Sequence, residues 1–214
     1  MRYSTILFDL DGTLIDSIEL ILESYRHTMR VHRGDAMSDA LWLEGLGTPL
    51  RVQFKTFTDD PAEIEAMITT YREWNMANHD VMVTAYPGAV ETVRDFHARG
   101  IRMGIVTSKN DRGLMRGLDL CGFSGLFDTL ITCDSLKESK PDPAPVRLAL
   151  AELGAPAGTA LYVGDSPHDI ASGRDAGTET AACLWGPFER SRLAQEKPTH
   201  WLTTFGDLAA LASV

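Results

Sequence analysis

Two hydrophobic patterns divide the chain. Residues 5–10 (TILFDL) form a continuous apolar run that is rich in β-branched side chains and ends at Asp-Gly. This pattern is typical of a buried parallel strand that enters a turn. From residue 16 to about residue 80, apolar residues such as Ile18, Ile21 and Tyr25 recur at helical spacing, which predicts helices and no strand in that stretch.

Capping and helix-breaking residues predict where these helices begin and end. Asp16 or Ser17 is placed to cap the first helix, and Gly34 is placed to end it. Gly45-Leu46-Gly47-Thr48-Pro49 predicts a loop. After Asp60-Pro61, a further amphipathic helix carries apolar residues at Ile64, Met67, Ile68, Tyr71 and Trp74.

Strands and helices alternate in the remainder of the chain. The predicted strands are 101–106, 130–132, 160–163 and 179–184, and the predicted helices are about 88–99, 111–120, 143–153 and 167–176. This alternation is typical of right-handed βαβ units on a parallel sheet. We therefore predict an α/β fold with a Rossmann-like parallel-sheet core, residues 1–15 and 84–214. An all-helical domain, residues 16–83, is inserted after the first strand.

The composition argues against some classes of partner. The chain has 20 Lys and Arg against 30 Asp and Glu, a formal net charge of −10, whereas nucleic acids and anionic membranes are bound through basic surface. No apolar run approaches the ~20 residues that span a bilayer. Cys121, Cys133 and Cys183 lack the spacing of a disulfide framework or a zinc site. We expect a cytoplasmic protein, a monomer or weak homodimer, that binds neither nucleic acid nor membrane.

Polar residues of catalytic type follow the predicted strands. Asp9-Leu10-Asp11-Gly12-Thr13 ends the first strand, Thr107-Ser108 follows the second, and Gly164-Asp165 follows a later one, with Asp169 four residues on. Lys140, in Lys140-Pro141-Asp142-Pro143, precedes a helix. Since doubly wound sheets bind ligands at the carboxyl ends of their strands, we expect these residues at one edge.

The acidic residues of this set suit a divalent cation. Side chains two apart on a strand share a face, so Asp9 and Asp11 are expected to point into one cleft. An oxygen-binding dication would relieve their repulsion, and Asp165 would add a third oxygen ligand. Magnesium suits the site because it takes few protein ligands, keeps waters and binds a phosphate oxygen.

The remaining residues suit a phosphoryl group. Thr107 offers a hydroxyl, Ser108 a backbone N–H, and Lys140 a point charge. Each element alone has a plainer interpretation: Asp-Gly is a common turn, Thr107-Ser108 would cap a helix, and Asp169 would support a helix dipole. The order and placement of all of them together favour the catalytic interpretation.

These elements resemble the four motifs of the haloacid dehalogenase superfamily, and the resemblance covers essentially the whole chain. The first motif, Asp-x-Asp-x-Thr, stands here as Asp9-Leu10-Asp11-Gly12-Thr13. The resemblance implies that Asp9 is the nucleophile of a magnesium-dependent phosphatase that forms an aspartyl-phosphate. It also implies that Asp11 is the general acid for the leaving group, then the base for water, and a metal ligand through its backbone oxygen. An acid must at times be protonated, so we expect burial or neighbours to raise the pKa of Asp11 when the cap is closed.

The other motifs complete the set implied by the resemblance. Thr107 is the hydroxyl of the second motif and Lys140 the lysine of the third. Asp165 and Asp169 are the acidic metal ligands of the fourth, the latter directly or through water. The helical insert corresponds to the family's cap, which closes over small substrates and excludes water, so we expect a small, enclosed volume beneath it.

Finer features indicate a branch of the family. The stretches 71–75 and 78–80, and the Lys140-Pro141-Asp142-Pro143 context, resemble phosphoglycolate phosphatases and related inorganic pyrophosphatases. The resemblance implies a small phosphorylated metabolite as substrate, with 2-phosphoglycolate or pyrophosphate as the leading candidates. The alternatives within the superfamily are a sugar-phosphate phosphatase and a phosphomutase. A receiver-like signalling domain or an inactive regulatory relative is disfavoured by the long insert and the complete motifs.

The cap offers candidates for recognition of the rest of the substrate. In this family the loop at residues 45–49 tends to face the active site, although a plain connector is the other interpretation. Thr48 and Arg51, together with Lys55, are predicted donors to a second anionic group of the substrate. Arg51 and Lys55 also suit a solvated surface. We interpret His79 as a surface or capping residue.

Overall fold

A six-stranded parallel sheet forms the centre of the molecule in the computed structural model, which describes residues 2–35 and 38–213. In chain order the strands are β1 (Thr5–Phe8), β2 (Ile15–Asp16), β3 (Thr84–Ala85), β4 (Arg102–Val106), β5 (Thr129–Ile131), β6 (Ala160–Gly164), β7 (Glu179–Cys183) and β8 (His200–Leu202). All of them except β2 and β3 belong to this sheet. The sheet order is β5-β4-β1-β6-β7-β8. The chain thus moves outward from β1 to β5 and then returns to the other side of β1. Such a reversal is the switch point at which doubly wound sheets bind ligands.

Helices cover both faces of this sheet. The helices are α1 (Ile18–Arg33), α2 (Asp39–Gly45), α3 (Leu50–Phe54), α4 (Pro61–Met82), α5 (Ala89–Ala98), α6 (Asp111–Cys121), α7 (Ala144–Glu152), α8 (Pro167–Ala176), α9 (Arg190–Leu193) and α10 (Phe205–Ser213). Successive side chains of β1 point to opposite faces. Ile6 and Phe8 pack in one apolar cluster with residues of α5, α6 and α10, whereas Leu7 packs in another with residues of α7.

The helices α1 to α4 form the insert between β2 and β3. These two short strands pair antiparallel, with Ile15 opposite Ala85 and Asp16 opposite Thr84, so the chain leaves and returns side by side. The insert has an apolar cluster of its own, in which the rings of Tyr25 and Trp42 stack with centroids 4.0 Å apart. The parallel sheet and the helical insert confirm the predicted fold class. We propose the division into a cap, residues 16–83, and a core, residues 1–15 and 84–214, because most buried apolar residues of the insert form a cluster of their own.

Local signals in the sequence explain where the cap helices begin and end. Gly34 follows α1 in the left-handed region, at φ 78°, and donates its N–H to Arg30 O. The Asp60 side chain accepts from Ala62 N at the start of α4, and Pro61 occupies its first turn, where a missing N–H costs nothing. Ser17 precedes α1 but makes no capping hydrogen bond there, because its hydroxyl binds Asp11 instead.

Several elements differ from the prediction. Strand β1 ends at Phe8, before the predicted end at residue 10, and residues 9–13 form a loop with Gly12 at φ 84°. Asp16 lies in β2 rather than in a helix, because it pairs with Thr84, which is far away in sequence. Beyond residue 184 no element was predicted, yet β8, α9 and α10 complete the core. In the part of the chain that is described, no helix combines the length and hydrophobicity needed to cross a membrane.

Candidate active site

Loops at the carboxyl ends of three adjacent strands bring the predicted residues together. Asp9 follows β1 and donates its backbone N–H to Val163 O on β6 at 2.9 Å, so the strand pairing extends to the site. Thr107 follows β4 in the same way, with its N–H 2.9 Å from Ile131 O. Asp165 follows β6. The expectation of one shared edge is therefore confirmed for these residues.

Lys140 is enclosed among the acidic residues. Its side chain is 2% exposed, and Nζ lies 2.8 Å from Asp9 Oδ1 and 2.6 Å from Asp169 Oδ1. A third, longer hydrogen bond runs 3.4 Å to Val106 O. An ammonium group has three protons, so these acceptors use all of them.

A hydroxyl and two glycines lie in close contact with the side chain of Asp165. Thr13 Oγ1 donates to Asp165 Oδ1 at 2.6 Å. A Cβ at Gly12 would lie 2.4 Å from Asp165 Oδ2, and one at Gly186 would lie 2.4 Å from Asp165 Cβ. Any side chain at either glycine would displace the carboxylate. Gly12 therefore serves both the turn and this contact, and Gly186 belongs to the site although no pattern in the sequence marked it.

Asp169 is fixed by the start of α8. Ser166 N donates to Asp169 Oδ2 at 3.0 Å and Asp169 N donates to Ser166 Oγ at 3.2 Å, which forms a capping box. The Ser166 hydroxyl also donates to Asp169 Oδ2 at 2.6 Å. Oδ1 of Asp169 accepts from Lys140 and, at 3.0 Å, from the Tyr162 hydroxyl. Tyr162 lies in the apolar run of β6. From the sequence alone, a tyrosine whose hydroxyl binds Asp169 looks the same there as one that only packs in the core.

The carboxylates of Asp9, Asp165 and Asp169 form a buried cluster, with one oxygen of each within 4.8 Å of the others. Burial raises the pKa of Asp9 to about 7 although Lys140 opposes the shift, and burial also raises the pKa of Asp165 well above its usual value. For Asp169, the charge and hydrogen bond of Lys140 outweigh the effect of burial and lower the pKa. Three carboxylates thus face one ammonium group. An all-oxygen set with surplus negative charge fits a hard dication such as Mg²⁺.

The side chain of Asp11 points away from this cluster. Its Oδ1 accepts from Lys109 Nζ at 2.6 Å and from Ser17 Oγ at 2.6 Å. Burial favours the neutral acid, but the charge and hydrogen bond of Lys109, helped by Ser17, lower the pKa of Asp11 below its usual value. In this arrangement of the cap the pKa of Asp11 is lowered and not raised, because of Lys109; the raised pKa expected with the cap closed stays a prediction. A metal contact of Asp11 would fall to its backbone oxygen, as the resemblance implied.

Thr107 and Ser108 occupy different positions at the end of β4. Thr107 Oγ1 accepts from Lys109 N at 3.2 Å and lies in the wall of the cavity above Asp9. The Ser108 hydroxyl donates to Gly47 O, 2.5 Å away in the cap loop. Gly47 is thus in contact with the core, and the interpretation of residues 45–49 as a loop facing the active site is supported over that of a plain connector.

A cavity of about 1180 Å³ separates the cap from the catalytic residues. It exceeds the roughly 300–1,000 Å³ of ordinary ligand pockets, so the expected small, enclosed volume is not what this structure has. Thr48 and Arg51 both line it. The Thr48 hydroxyl donates to Gly45 O, and Arg51 forms an ion pair with Glu65 while its side chain stays 60% exposed. Lys55 is not among the lining residues.

His79 was interpreted as a surface or capping residue, and the surface interpretation is wrong. The side chain is fully buried at the end of α4, where Nδ1 lies 3.0 Å from Asp80 Oδ1. Asp80 in turn accepts from Arg116 of α6. Burial lowers the pKa of His79. The imidazole therefore packs where the cap helix meets the core, beside the strands through which the chain returns.

The sequence interpretation gave no role in the active site to Lys109, Ser17, Thr13 or Tyr162. Lys109 directly follows Thr107-Ser108, so its position after β4 was a usable signal. Thr13 stands within the first motif. Ser17 and Tyr162 carried no such signal, because their partners Asp11 and Asp169 are brought to them only by the folded chain.

Comparison with known proteins agrees with this geometry. The family model for haloacid dehalogenase-like hydrolases matches residues 6–183. A pyrophosphatase PpaX from Anoxybacillus flavithermus is 39% identical over 214 residues, which is 100% of this chain and 99% of the relative. A pyrophosphatase PpaX from Bacillus velezensis is 40% identical over 214 residues, 100% of this chain and 98% of the relative.

Solved structures show the same fold. A predicted phosphoglycolate phosphatase from Haemophilus somnus superposes with a TM-score of 0.87 at 24% identity, over 99% of each chain. The match of the family model covers both the four motifs and the helical insert. Together with full-length relatives near 40% identity, it is sufficient to assign the family. The chain belongs to the haloacid dehalogenase-like hydrolases.

Proposed function

We propose that the protein is a magnesium-dependent phosphatase that hydrolyses inorganic pyrophosphate through an aspartyl-phosphate on Asp9. The observation that carries this proposal is the buried cluster of Asp9, Asp165 and Asp169 around Lys140. Asp9 and Lys140 of this cluster line the cavity under the cap. Full-length relatives that bear the name pyrophosphatase, at 39% and 40% identity, support the choice of substrate.

The environment of Asp9 suits a nucleophile. Lys140 binds Oδ1, whereas Oδ2 accepts no hydrogen bond from any described residue. In the first step an Asp9 oxygen attacks one phosphorus, the bridging P–O bond breaks, and its electron pair leaves with the second phosphate. Thr107 and the Ser108 N–H would bind the oxygens of the transferred group, and the positive charge of Lys140 would stabilise them.

Water then hydrolyses the aspartyl-phosphate. The Asp11 carboxylate, held ionised by Lys109 and Ser17, accepts a proton from the attacking water. The P–O bond to Asp9 breaks, the Asp9 carboxylate is restored and Asp11 gives its proton to a departing phosphate, so one pyrophosphate and one water give two phosphates. Asp9, Asp165 and Asp169, with the Asp11 backbone oxygen, would hold Mg²⁺. When bound, this cation supplies positive charge that offsets the charge of the phosphoryl oxygens.

2-Phosphoglycolate is the second candidate. The stretches 71–75 and 78–80 and the Lys140-Pro141-Asp142-Pro143 context are shared in character with both branches of the family. Like pyrophosphate, 2-phosphoglycolate is small and carries a second anionic group. The two substrates differ in the group that leaves, which is a phosphate in one case and an alkoxide in the other.

A phosphate-release assay separates these functions. The panel contains pyrophosphate, 2-phosphoglycolate, glucose 6-phosphate and p-nitrophenyl phosphate, each with Mg²⁺, and Asp9→Asn is the blank. We expect the highest kcat/KM for pyrophosphate, with two phosphates released per molecule. A tenfold preference for the sugar phosphate would contradict the assignment of the branch. Conversion of a sugar phosphate without stoichiometric phosphate release would indicate a mutase.

A further inference from the structure

The cations of the cavity differ in how fully their hydrogen-bond donors are used. Lys140 has three acceptors within the protein and a side chain that is 2% exposed, so all of its ammonium protons are already used. Lys109 also lies in the cavity wall, with its side chain 11% exposed. Its Nζ has one acceptor among the described residues, Asp11 Oδ1. Two of its three ammonium protons remain available to a ligand.

Two more cations of the core line the same cavity. Arg112, in the first turn of α6, and Lys137, which follows β5, form no ion pair with any residue that the structure describes. On the cap side, Arg51 is already paired with Glu65, whereas Arg72 lines the cavity and forms no ion pair with any residue that the structure describes. In a chain with a net charge of −10, unpaired cations around one cavity favour an anionic ligand there.

The position of Lys109 indicates which part of the substrate it meets. Lys140 contacts Asp9, on the side where the phosphoryl group is transferred, whereas Lys109 contacts Asp11. Under the proposed function, Asp11 faces the group that leaves and the water that replaces it. The free protons of Lys109 are therefore next to the leaving group and not next to the transferred one.

We propose that Lys109 binds the leaving phosphate of pyrophosphate, with Arg112 and Lys137 as weaker contributors at the rim. This inference rests on the proposed function and deepens it. The principal contact with the second anion is then Lys109 of the core, and not Arg51 or Lys55 of the cap. It also gives a reason for a preference for an anionic leaving group over a neutral one, since a buried ammonium with free donors gains most from a charged partner.

The test compares substrates that differ in the second anion. Lys109→Met and Lys109→Arg are assayed on pyrophosphate and on p-nitrophenyl phosphate, whose leaving group lacks a phosphate. A charge-assisted hydrogen bond predicts a loss of kcat/KM on pyrophosphate of about 10- to 100-fold for Lys109→Met, at least tenfold greater than the loss on p-nitrophenyl phosphate. Lys109→Arg keeps the charge and should recover part of the difference.

Rim and control variants sharpen the result. Arg112→Gln and Lys137→Gln should lower kcat/KM on pyrophosphate by about two- to fivefold, since exposed charges are screened, with little effect on p-nitrophenyl phosphate. Lys197→Gln removes one positive charge from the surface outside the cavity and should change neither. Equal losses on both substrates for Lys109→Met would overturn the inference, because Lys109 would then act only by holding Asp11.

A binding measurement separates this inference from the proposed function. Imidodiphosphate, an analogue of pyrophosphate that resists hydrolysis, is used as an inhibitor of p-nitrophenyl phosphate hydrolysis. We expect its Ki to rise at least tenfold in Lys109→Met, while the Ki of orthovanadate changes less than threefold. An unchanged imidodiphosphate Ki refutes the role of Lys109, even where the wild-type protein hydrolyses pyrophosphate. Failure of the wild-type protein to hydrolyse pyrophosphate refutes the proposed function instead.

Discussion

The two ends of the sheet each carry a cluster of charged and polar side chains. Carboxylates outnumber their positively charged partners at one end, whereas donors outnumber the carboxylate at the other. At the carboxyl ends, Asp9, Asp165 and Asp169 are at most 4% exposed and share a single ammonium group. At the amino ends of β1, β7 and β8, a cluster around the carboxylate of Glu179 supplies it with several partners: Tyr3 OH at 2.5 Å, His200 Nε2 at 2.8 Å and Arg2 Nη2 at 2.9 Å.

The difference in balance has opposite electrostatic consequences. Burial without enough counter-charge raises the pKa of Asp9 to about 7. Hydrogen bonds from Tyr3, with further help from His200 and Arg2, lower the pKa of Glu179 to about 2. A cluster that leaves negative charge uncompensated destabilises the fold but is prepared to bind a cation and a phosphate. A cluster whose single carboxylate is fully paired stabilises the fold and offers nothing to a ligand.

The largest effect should come from Asp9→Asn, which tests the catalytic role of the cluster at the carboxyl ends. The substitution removes the nucleophile, so we expect phosphate release to fall by about 10³-fold or more. It also removes one of three clustered carboxylates at nearly constant volume, so the melting temperature should not fall. Turnover and thermal unfolding are measured on the same preparation. A folded variant that keeps a tenth of the activity would show that Asp9 is not the nucleophile.

Metal removal tests the surplus charge directly. Excess chelator should abolish activity, and Ca²⁺ should substitute poorly because it relaxes the tight octahedral geometry of Mg²⁺. Magnesium at ~100 times its Kd should stabilise the wild-type fold by about 2.7 kcal/mol. The matched variant Asp165→Asn should lose most of that shift and, without metal, should be more stable than the wild type. Full activity in excess chelator would rule out the metal role.

Glu179→Gln should have the opposite pattern, with a cost in stability and none in activity. We expect a loss of about 1 kcal/mol at neutral pH, because the lost hydrogen bonds are charge-assisted but partly exposed to solvent. The pKa of Glu179 is lower in the folded protein, about 2, than its ordinary value of 4.5. Its stabilisation is therefore present above pH 4.5 and disappears as the pH falls toward 2.

Denaturant unfolding at several pH values checks this prediction. The stability difference between wild type and Glu179→Gln should be largest at pH 6 and should shrink steadily below pH 4.5. Phosphate release at neutral pH should stay within twofold of the wild type. A difference that is independent of pH would mean that the carboxylate charge of Glu179 contributes nothing.

Arg2→Gln should give the smallest effect and shows which member of the amino-end cluster is dispensable. Its side chain is 45% exposed, against 35% for Glu179, and exposed ion pairs contribute little. We expect a loss below about 0.5 kcal/mol, which 1 M salt should reduce further. A loss as large as that of Glu179→Gln would indicate that Arg2, rather than Tyr3 and His200, is the principal partner of that carboxylate.

Many strands of the core were predictable because their apolar runs are also the residues that the fold buries. The strand that became β1 has four residues that are all buried, and the runs that became β4, β6 and β7 were predicted to within a residue or two. The elements after residue 184 were not predicted. Strand β8 is three residues long and only Leu202 is fully buried in it, so it exists because β7 offers an unpaired edge rather than because of its own pattern.

By itself, the sequence determined which residues gather at the catalytic edge. Parallel strands bring their carboxyl ends to one side, so Asp9, Thr107 and Asp165 had to meet once the strands were identified. Only the tertiary structure decided how their charges are balanced. Lys140 reaches Asp9 across 131 positions of the chain, and Lys109 reaches Asp11 across 98. The protonation of a buried carboxylate depends on the sum of all charges and donors around it, and those neighbours come from segments that the sequence does not place in contact.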